Sequence, residues 1–203
     1  MSLCDDLIKE YEERFMPGGI LQARSEIKQL VEEVGERKFK VMAEIGTSCG
    51  GTLWLYANLF AEKDGCFIIN DMEIPPVLKR VMSALEERIG LKFKVFECKS
   101  YLFSLKEPVE FLHIDGDHSY EAVRHDYYSN FSRVTPGGII VLHDTMLMPG
   151  VMKFREELEK SGVETKTFIG YDTLCDCFGK GKINLFHQAF GTTVVYKNKE
   201  NKQ

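Results

Sequence analysis

The chain has 203 residues, of which 44% are hydrophobic and 28% charged, and its formal net charge is −5. This length suffices for one domain with a full hydrophobic core, and the composition is that of an ordinary globular protein. A mildly acidic chain lacks the general attraction to phosphate backbones that nucleic-acid-binding proteins have, so we expect no nucleic acid partner. The sequence contains no run of eighteen apolar residues, so we also expect no membrane span.

The cysteines and the start of the chain indicate a reducing compartment. Three of the six cysteines, Cys49, Cys66 and Cys98, fall within or beside predicted strands and helices rather than in a small disulfide framework. The first residues are acidic and lack the apolar core of a signal peptide. We therefore expect free thiols and a cytoplasmic protein. Cys175 and Cys177 could form half of a metal site, but no second Cys/His pair has matching spacing.

Two helical segments precede the main part of the chain. Apolar residues recur at helical spacing over residues 3–15 and again over residues 21–35. We interpret residues 1–37 as a helical lead-in whose surface could serve as a lid or as the contact in a homodimer. Residues 38–203 would then form the principal domain.

Strand and helix patterns alternate along this principal domain. Strands are predicted at 40–45, 66–69, 93–96, 109–114, 139–142, 164–169 and 192–196, and helices at 52–61, 76–89, 120–134 and 151–158. The alternation predicts an α/β fold with a doubly wound, mostly parallel sheet. Because only a loop separates the final two strands, we expect them to form an antiparallel pair at one edge of the sheet.

Acidic residues and histidines follow two of the apolar strands. Asp115, Asp117 and His118 come after one strand, and His143 and Asp144 end the next. In an open α/β sheet the carboxyl ends of the strands build the binding site. Carboxylate and imidazole groups together suit a divalent metal beside a general base. The acids after one strand could simply form a turn and cap a helix, but two such ends with histidine at both favour a functional site.

A glycine-containing loop follows the first strand of the principal domain. It includes Gly46, Ser48 and Gly50, and its spacing differs from the Gly-x-Gly-x-x-Gly pattern of dinucleotide-binding loops. Glu44, just before the loop, would repel a diphosphate but attract an ammonium group. Asp71 ends the next strand, where a carboxylate can accept hydrogen bonds from ribose hydroxyls. A nucleoside that bears an amine and no phosphate fits both acids, and S-adenosylmethionine is such a ligand.

These motifs resemble those of class I S-adenosylmethionine-dependent methyltransferases. The resemblance rests on Glu-x-Gly-x-x-x-Gly-Gly from Glu44, on Asp71, on Ile-Asp-Gly-Asp-His-Ser-Tyr from Ile114, and on Thr-Pro-Gly-Gly-Ile-Ile-Val-Leu-His-Asp-Thr from Thr135. It covers about residues 38–160 and is closest to the branch of natural-product O-methyltransferases and cephalosporin hydroxylase-like proteins. It implies a Rossmann-like sheet of seven strands, the last inserted antiparallel.

The resemblance also implies which residues bind the cofactor. The residue before the loop and the loop itself would hold the methionine part, the acid after the second strand would bind the ribose, and the acid after the fourth strand would border the cofactor. In this sequence these residues are Glu44, Gly46, Thr47, Ser48, Gly50, Asp71 and Asp115.

The resemblance further implies a metal site and a base. Asp115 and Asp144 would be ligands of a divalent metal, with Mg²⁺ the leading candidate. His118 would take the proton of the acceptor hydroxyl, and His143 is the competing candidate for the base or for a third ligand. The implied function is an O-methyltransferase acting on a hydroxyl of a small molecule, such as a sugar or a natural product.

Two alternatives to this function remain open at the level of sequence. The segment from His113 to His118 approaches the metal-binding motif of metallo-β-lactamase-type hydrolases, although it lacks that motif's second histidine. A cofactor-binding fold without catalytic activity is the other alternative. The sequence leaves open the methyl acceptor, the identity of the metal and its third ligand, the choice of base and the oligomeric state.

Overall fold

The computed structural model describes residues 2–17, 20, 22–170 and 190–198. Within these ranges the chain forms one seven-stranded sheet flanked by helices. The helices are α1 (Leu3–Arg14), α2 (Arg24–Val34), α3 (Gly51–Phe60), α4 (Pro76–Ile89), α5 (Tyr120–Phe131) and α6 (Pro149–Lys160), with a short 3₁₀ turn at Ser100–Leu102. None of the helices in the described ranges has the length and apolar character needed to cross a bilayer.

The sheet has the predicted doubly wound architecture. Its strands are β1 (Phe39–Ile45), β2 (Ala61–Asp71), β3 (Lys92–Glu97), β4 (Val109–Ile114), β5 (Val134–Leu142), β6 (Thr165–Gly170) and β7 (Phe190–Tyr196). They lie in the order β3-β2-β1-β4-β5-β7-β6. The first five strands pair in parallel, whereas β7 pairs antiparallel with both β5 and β6. The predicted mostly parallel sheet with an antiparallel edge pair is therefore confirmed.

Local sequence signals account for the helices that flank the site. Helix α4 starts with Pro76 at its first position, and Gly90, with φ +70°, ends it in the left-handed conformation. Helix α5 is capped by Ser119, whose hydroxyl accepts a hydrogen bond of 3.3 Å from the backbone N–H of Ala122. Because this cap starts α5 directly after β4, it fixes the direction in which the chain leaves the sheet.

Strand β2 is longer than the sequence pattern predicted. The prediction covered residues 66–69, whereas the strand runs over Ala61–Asp71. Its first part contains Glu62, Lys63 and Asp64, which are exposed and therefore leave no apolar pattern. The carboxyl end of β2, where the predicted ribose-binding acid lies, is as expected.

The two N-terminal helices pack into the same hydrophobic core as the sheet. Leu7 and Tyr11 of α1 and Ile27 of α2 are buried together with Trp54 of α3 and Phe111 of β4. The indole N–H of Trp54 donates a hydrogen bond of 3.1 Å to the backbone carbonyl of Leu7. Helices α1 and α2 are thus attached to the sheet by core packing, and their use as a lid or as a dimer contact stays a prediction.

The cysteines in the described ranges are free thiols. These are Cys4, Cys49, Cys66 and Cys98. The half-site suggested for Cys175 and Cys177 lies outside the described residues.

Candidate active site

The loop after β1 is in direct backbone contact with the end of β4. Gly46 has φ +85°, and a Cβ atom at this position would lie 2.0 Å from the carbonyl oxygen of Asp115. No side chain fits in that space, so the loop requires glycine at this point. Ser48 and Gly50 also have positive φ values, +48° and +82°, which curl the loop around the strand end.

Asp71 joins the end of β2 to this loop. One of its carboxylate oxygens accepts a hydrogen bond of 2.6 Å from the backbone N–H of Ser48, and the other accepts one of 3.2 Å from the N–H of Glu73. Each carboxylate oxygen has a second lone pair, so Asp71 can still accept hydrogen bonds from a ligand. The predicted ribose-binding acid and the predicted loop are therefore neighbours.

A cavity of about 690 Å³ extends along the carboxyl ends of the strands. On the β2 side its wall includes Asp71 and Tyr101, and on the β4 and β5 side it includes Asp115, His118 and Asp144. Its size is within the range of pockets that bind small molecules and cofactors. Four residues predicted to bind the cofactor and both predicted metal ligands thus line one continuous space: Gly46, Ser48, Asp71, Asp115 and Asp144.

The acids that follow β4 and β5 converge with a histidine. The strands are neighbours in register, with Ile114 beside Leu142. His118 Nε2 lies 3.3 Å from an oxygen of Asp115 and 3.3 Å from an oxygen of Asp144. One ligand atom from each of these three residues lies within 4.8 Å of the others, close enough to hold a metal ion.

The backbone conformation of Asp144 is unusual for a residue other than glycine. Its φ is +55°, in the left-handed region, and its carbonyl accepts hydrogen bonds from the N–H groups of Leu147 and Met148. This turn follows β5 immediately and directs the carboxylate into the cavity wall. Sparsely populated backbone conformations held in this way are concentrated at functional sites.

The charges in this cluster shift one another's pKa values. Burial alone would raise the pKa of Asp115, but the adjacent His143 and His118 hold that pKa well below its usual range. Burial raises the pKa of Asp144, although His143 opposes the shift. The hydrogen bond with Asp115 raises the pKa of His118. Groups that perturb one another in a cavity are typical of functional sites.

His143 lies behind the cluster and is enclosed between carboxylates. It is 4% exposed, and its Nδ1 lies 3.2 Å from an oxygen of Asp115. Burial opposes its charged form, yet Asp115, Asp144 and Glu26 together raise the pKa of His143 to about 9. The two predicted candidates for the base, His118 and His143, therefore differ in how easily a substrate can reach them, because the side chain of His118 is 34% exposed.

Glu26 of α2 is a site residue that the sequence reasoning missed. Its carboxylate is buried, and one oxygen lies 3.9 Å from Nε2 of His143. The sequence does contain a feature that could have pointed to Glu26. It lies on the apolar face of an amphipathic helix, three residues after Ala23 and four before Leu30. A charged residue on such a face needs partners, and here they are His143 just after β5, Gly170 of β6 and Thr192 of β7.

Three of the predicted cofactor residues lie behind the cavity wall. Glu44, Thr47 and Gly50 are buried and are not among the residues that line the cavity. An oxygen of Glu44 accepts a hydrogen bond from the hydroxyl of Thr52 and lies 2.8 Å from Nδ1 of His113. These three residues therefore lie behind those that form the cavity surface, and their role in cofactor binding stays a prediction.

The geometry separates the residues of the hydrolase-like segment. His113 is buried, pairs with Glu44 and contacts the ring of Tyr56 edge-on. Asp117 accepts a hydrogen bond of 2.8 Å from the N–H of Ser119 at the start of α5. The group that can hold a metal takes Asp115 and His118 from this segment and Asp144 from the second position after β5, and it leaves out His113 and Asp117.

The fold and the site together define a class I methyltransferase. The sheet order, the glycine-containing loop after β1, the acid at the end of β2 and the acids after β4 and β5 are the defining features. A family described as "Methyltransferase domain" matches residues 43–145, just over half of the chain. The chain belongs to this family, and it is an S-adenosylmethionine-dependent methyltransferase.

Solved structures share the fold at low sequence identity. The O-methyltransferase TomG from Streptomyces achromogenes, in complex with SAM, is 15% identical with a TM-score of 0.59, covering 95% of this chain and 89% of its own. An O-methyltransferase from Bacillus cereus, in complex with SAH, is 17% identical with a TM-score of 0.59, covering 95% and 90%. An rRNA methylase from Streptococcus thermophilus is 11% identical with a TM-score of 0.55, covering 85% and 94%. A search of the curated proteins found no match.

Proposed function

We propose that this methyltransferase transfers a methyl group to a hydroxyl oxygen of a small molecule, such as a sugar or a natural product, with the help of a divalent metal. The convergence of Asp115, His118 and Asp144 within 4.8 Å on the wall of the cavity carries this proposal. The O-methyltransferases among the structurally similar proteins support a hydroxyl acceptor. The net charge of −5 and the acids in the cavity disfavour a polyanionic acceptor such as RNA.

The cofactor would occupy the part of the cavity nearest β1 and β2. S-adenosylmethionine supplies an electrophilic methyl group when it is bound. Asp71 would accept hydrogen bonds from the ribose hydroxyls, and Gly46 and Ser48 would follow the methionine part. Glu44, buried behind the loop, would provide negative charge toward the methionine ammonium group. Because methyl transfer is an in-line displacement, most of the rate enhancement would come from this positioning.

The donor set at the end of β4 and β5 fits a divalent metal. Asp115 and Asp144 offer carboxylate oxygens, the ligands that Mg²⁺ and Mn²⁺ prefer, and the ring nitrogen of His118 lies beside them. A bound cation would orient the acceptor and lower the pKa of its hydroxyl group. The two carboxylates would hold the cation, and their positions on neighbouring strands keep them together.

We assign His118 as the base that takes the acceptor's proton. Its side chain is 34% exposed and lines the cavity, so a substrate hydroxyl can reach it. His143 also borders the cavity, but it is only 4% exposed and packs between carboxylates, which leaves little room for an acceptor. A positioned base contributes about 10²–10⁴-fold to the rate.

Methyl transfer to a panel of sugars and catechol-like diols tests this function, with release of S-adenosylhomocysteine as the readout. Asp115→Ala and Asp144→Ala should lose metal-dependent turnover while they still bind S-adenosylhomocysteine. His118→Ala should keep Mn²⁺ and cofactor binding but lose at least about 100-fold in rate, the low end of general-base catalysis.

Three results of this test would contradict parts of the proposal. Turnover that is unchanged in the presence of EDTA would show that a metal has no role in the reaction. Loss of Mn²⁺ binding in His118→Ala would make that residue a ligand instead of the base. An inactive His143→Ala beside an active His118→Ala would transfer the role of base to His143.

The cellular setting forms part of the same proposal. We expect a small-molecule acceptor and a cytoplasmic enzyme, in keeping with the free thiols of the described cysteines. A homodimer formed through α1 and α2 remains an expectation, which sedimentation of the purified protein would test.

A further inference from the structure

Glu26 is a buried carboxylate that connects α2 to the carboxyl end of the sheet. It is 1% exposed. One of its oxygens accepts a hydrogen bond of 3.1 Å from the backbone N–H of Gly170, and the other accepts one of 3.3 Å from the hydroxyl of Thr192. The oxygen that faces Thr192 also lies 3.9 Å from Nε2 of His143.

The imidazole of His143 lies between Glu26 and the acid cluster. Its Nδ1 is 3.2 Å from an oxygen of Asp115, and its Nε2 faces Glu26 on the opposite side of the ring. Glu26, His143 and Asp115 therefore form a buried chain that runs from α2 to the cavity wall. The chain ends on a carboxylate that we assign as a metal ligand.

We infer that Glu26 is a positioning residue that orients the imidazole of His143, so that His143 in turn fixes the carboxylate of Asp115 for metal binding. This inference rests on the proposed function, because it requires Asp115 to bind a metal. His143 is within hydrogen-bond distance of Asp115, whereas Glu26 acts on Nε2 of His143 as a charge at 3.9 Å. Groups behind a metal ligand orient it and tune the site, and their loss costs about 10–100-fold in metal affinity. In this arrangement His143 supports the ligand, which leaves His118 as the group with access to substrate.

Attachment of α2 to the sheet does not by itself require a buried acid at position 26. Glu33, on the same helix, already pairs with Lys166 of β6 and accepts a hydrogen bond from the hydroxyl of Tyr196 of β7. Core packing of Ile27 and Leu30 adds to this attachment. A carboxylate is costly to bury and is retained where a partner requires it. Gly170 and Thr192 satisfy the oxygens of Glu26, and His143 adds a cationic partner at 3.9 Å.

Two affinities measured without substrate test the inference. Mn²⁺ binding is followed by electron paramagnetic resonance and S-adenosylhomocysteine binding by calorimetry, on the full chain. Glu26→Gln should weaken Mn²⁺ binding by about 10–100-fold and leave S-adenosylhomocysteine binding unchanged. Glu33→Gln is the matched control on the same helix and should leave both affinities unchanged.

A second pair of variants tests whether Glu26 acts through His143. In His143→Asn the side-chain amide can replace the N–H that faces Asp115 without needing Glu26. Glu26→Gln should therefore have no further effect on Mn²⁺ affinity in the His143→Asn background. Glu26→Asp keeps the carboxyl group but shortens its reach by one methylene, and it should also weaken Mn²⁺ binding. This variant supplies the test if Glu26→Gln does not fold.

The outcomes separate this inference from the function on which it rests. If the wild-type protein does not bind Mn²⁺, the metal site and this role of Glu26 are both wrong. If the wild type binds Mn²⁺ and the Glu26 variants bind it equally well, the role of Glu26 is overturned while the metal site stands. A joint loss of Mn²⁺ and S-adenosylhomocysteine binding with a lower melting temperature would make Glu26 merely structural. An equal effect of Glu26→Gln in both backgrounds would exclude His143 as the intermediary.

Discussion

The hydroxyl group of Tyr11 donates a hydrogen bond of 2.8 Å to the backbone carbonyl of Cys49. Tyr11 lies in the C-terminal half of α1, and Cys49 lies in the loop that follows β1. The first helix of the chain therefore supports the loop that we assign to the cofactor. The two N-terminal helices thus contact the site at two places, α1 through Tyr11 behind the loop and α2 through Glu26 behind His143.

Removal of this hydrogen bond should weaken cofactor binding. In Tyr11→Phe the carbonyl of Cys49 loses its donor while the aromatic packing of α1 is kept. A hydrogen bond of this kind contributes on the order of 1 kcal/mol, so the affinity for S-adenosylhomocysteine should fall about fivefold. Isothermal titration calorimetry measures the change.

Tyr127→Phe is the matched control for the loss of a buried hydroxyl. The hydroxyl of Tyr127 on α5 is buried and has no hydrogen-bond partner among the described residues. Its removal should be neutral or slightly stabilising, because no bond is broken. If the two variants bind S-adenosylhomocysteine equally well, the bond from Tyr11 does not shape the loop.

The proposed contact between Asp71 and the ribose predicts a larger loss of cofactor affinity than that expected for Tyr11→Phe. Asp71→Ala removes a charged acceptor from the cavity and also frees the N–H of Ser48 in the loop. Loss of hydrogen bonds to a charged group costs about 1.5–3 kcal/mol, so binding of S-adenosylhomocysteine should weaken by about 10–150-fold. Calorimetry on the wild type and the variant gives this ratio.

A graded variant and a second ligand make the test at Asp71 specific. Asp71→Asn keeps an oxygen that can accept from Ser48 and should lose less affinity than Asp71→Ala. Unchanged affinity in Asp71→Ala would remove this residue from the binding site. Tight binding of NADH by the wild type would contradict the assignment of the cofactor itself.

Local patterns in the sequence were enough to predict most of the sheet. The strand pattern over residues 109–114 matches β4, and the proline and glycine at the ends of α4 mark its bounds. Because parallel strands end at the same edge, the convergence of Asp115 and Asp144 also followed from their positions after two adjacent strands. Signals of this kind depend on neighbours in sequence or on the regular geometry of the sheet.

Contacts between distant segments could not be predicted in the same way. Glu26 accepts its hydrogen bond from Gly170, 144 residues later in the chain, and no local pattern specifies how α2 lies on the sheet. Glu44 was expected to attract the ammonium group of the ligand, and no local pattern indicated that it pairs with His113 in the core. Both contacts depend on which side chains meet when the helices and strands pack together. Such contacts leave no periodic pattern in the sequence from which they could be predicted.

Two glycines with nearly the same backbone conformation predict different effects of an added methyl group. Gly46 has φ +85° and Gly137 has φ +86°. In both positions alanine costs about 1–2 kcal/mol for the left-handed conformation. At Gly46 the Cβ atom would also meet the carbonyl oxygen of Asp115 at 2.0 Å, whereas at Gly137 nothing lies within 4 Å.

Gly46→Ala should therefore be at least about 2 kcal/mol less stable than Gly137→Ala, the difference being the cost of forcing the loop away from β4. Urea unfolding of both variants gives the comparison. Gly46→Ala should also lose S-adenosylhomocysteine binding, and Gly137→Ala should retain it. Equal stabilities would mean that the loop can move from β4 without cost.

The buried carboxyl of Asp126 on α5 predicts an unusual dependence of stability on pH. Burial raises its pKa to about 6 from an ordinary value of 3.8, with Ser100 opposing the shift. The native state therefore holds this proton more tightly than the unfolded chain does. The contribution of Asp126 to stability is fully present below about pH 4 and is lost as the pH rises to about 6.

Asp126→Asn removes this titration, so the variant should gain stability relative to the wild type as the pH rises from about 4 to about 6. The gain should reach at most about 3 kcal/mol and then level off. Urea unfolding at several pH values measures it. Asp5→Asn is the control, because a hydrogen bond with Ser2 lowers the pKa of Asp5 to about 2 and its contribution is lost only as the pH falls below about 4. A difference between Asp126→Asn and the wild type that stays constant from about pH 4 to about pH 7 would contradict the raised pKa, because it would mean that the carboxyl titrates alike in the folded and unfolded chains.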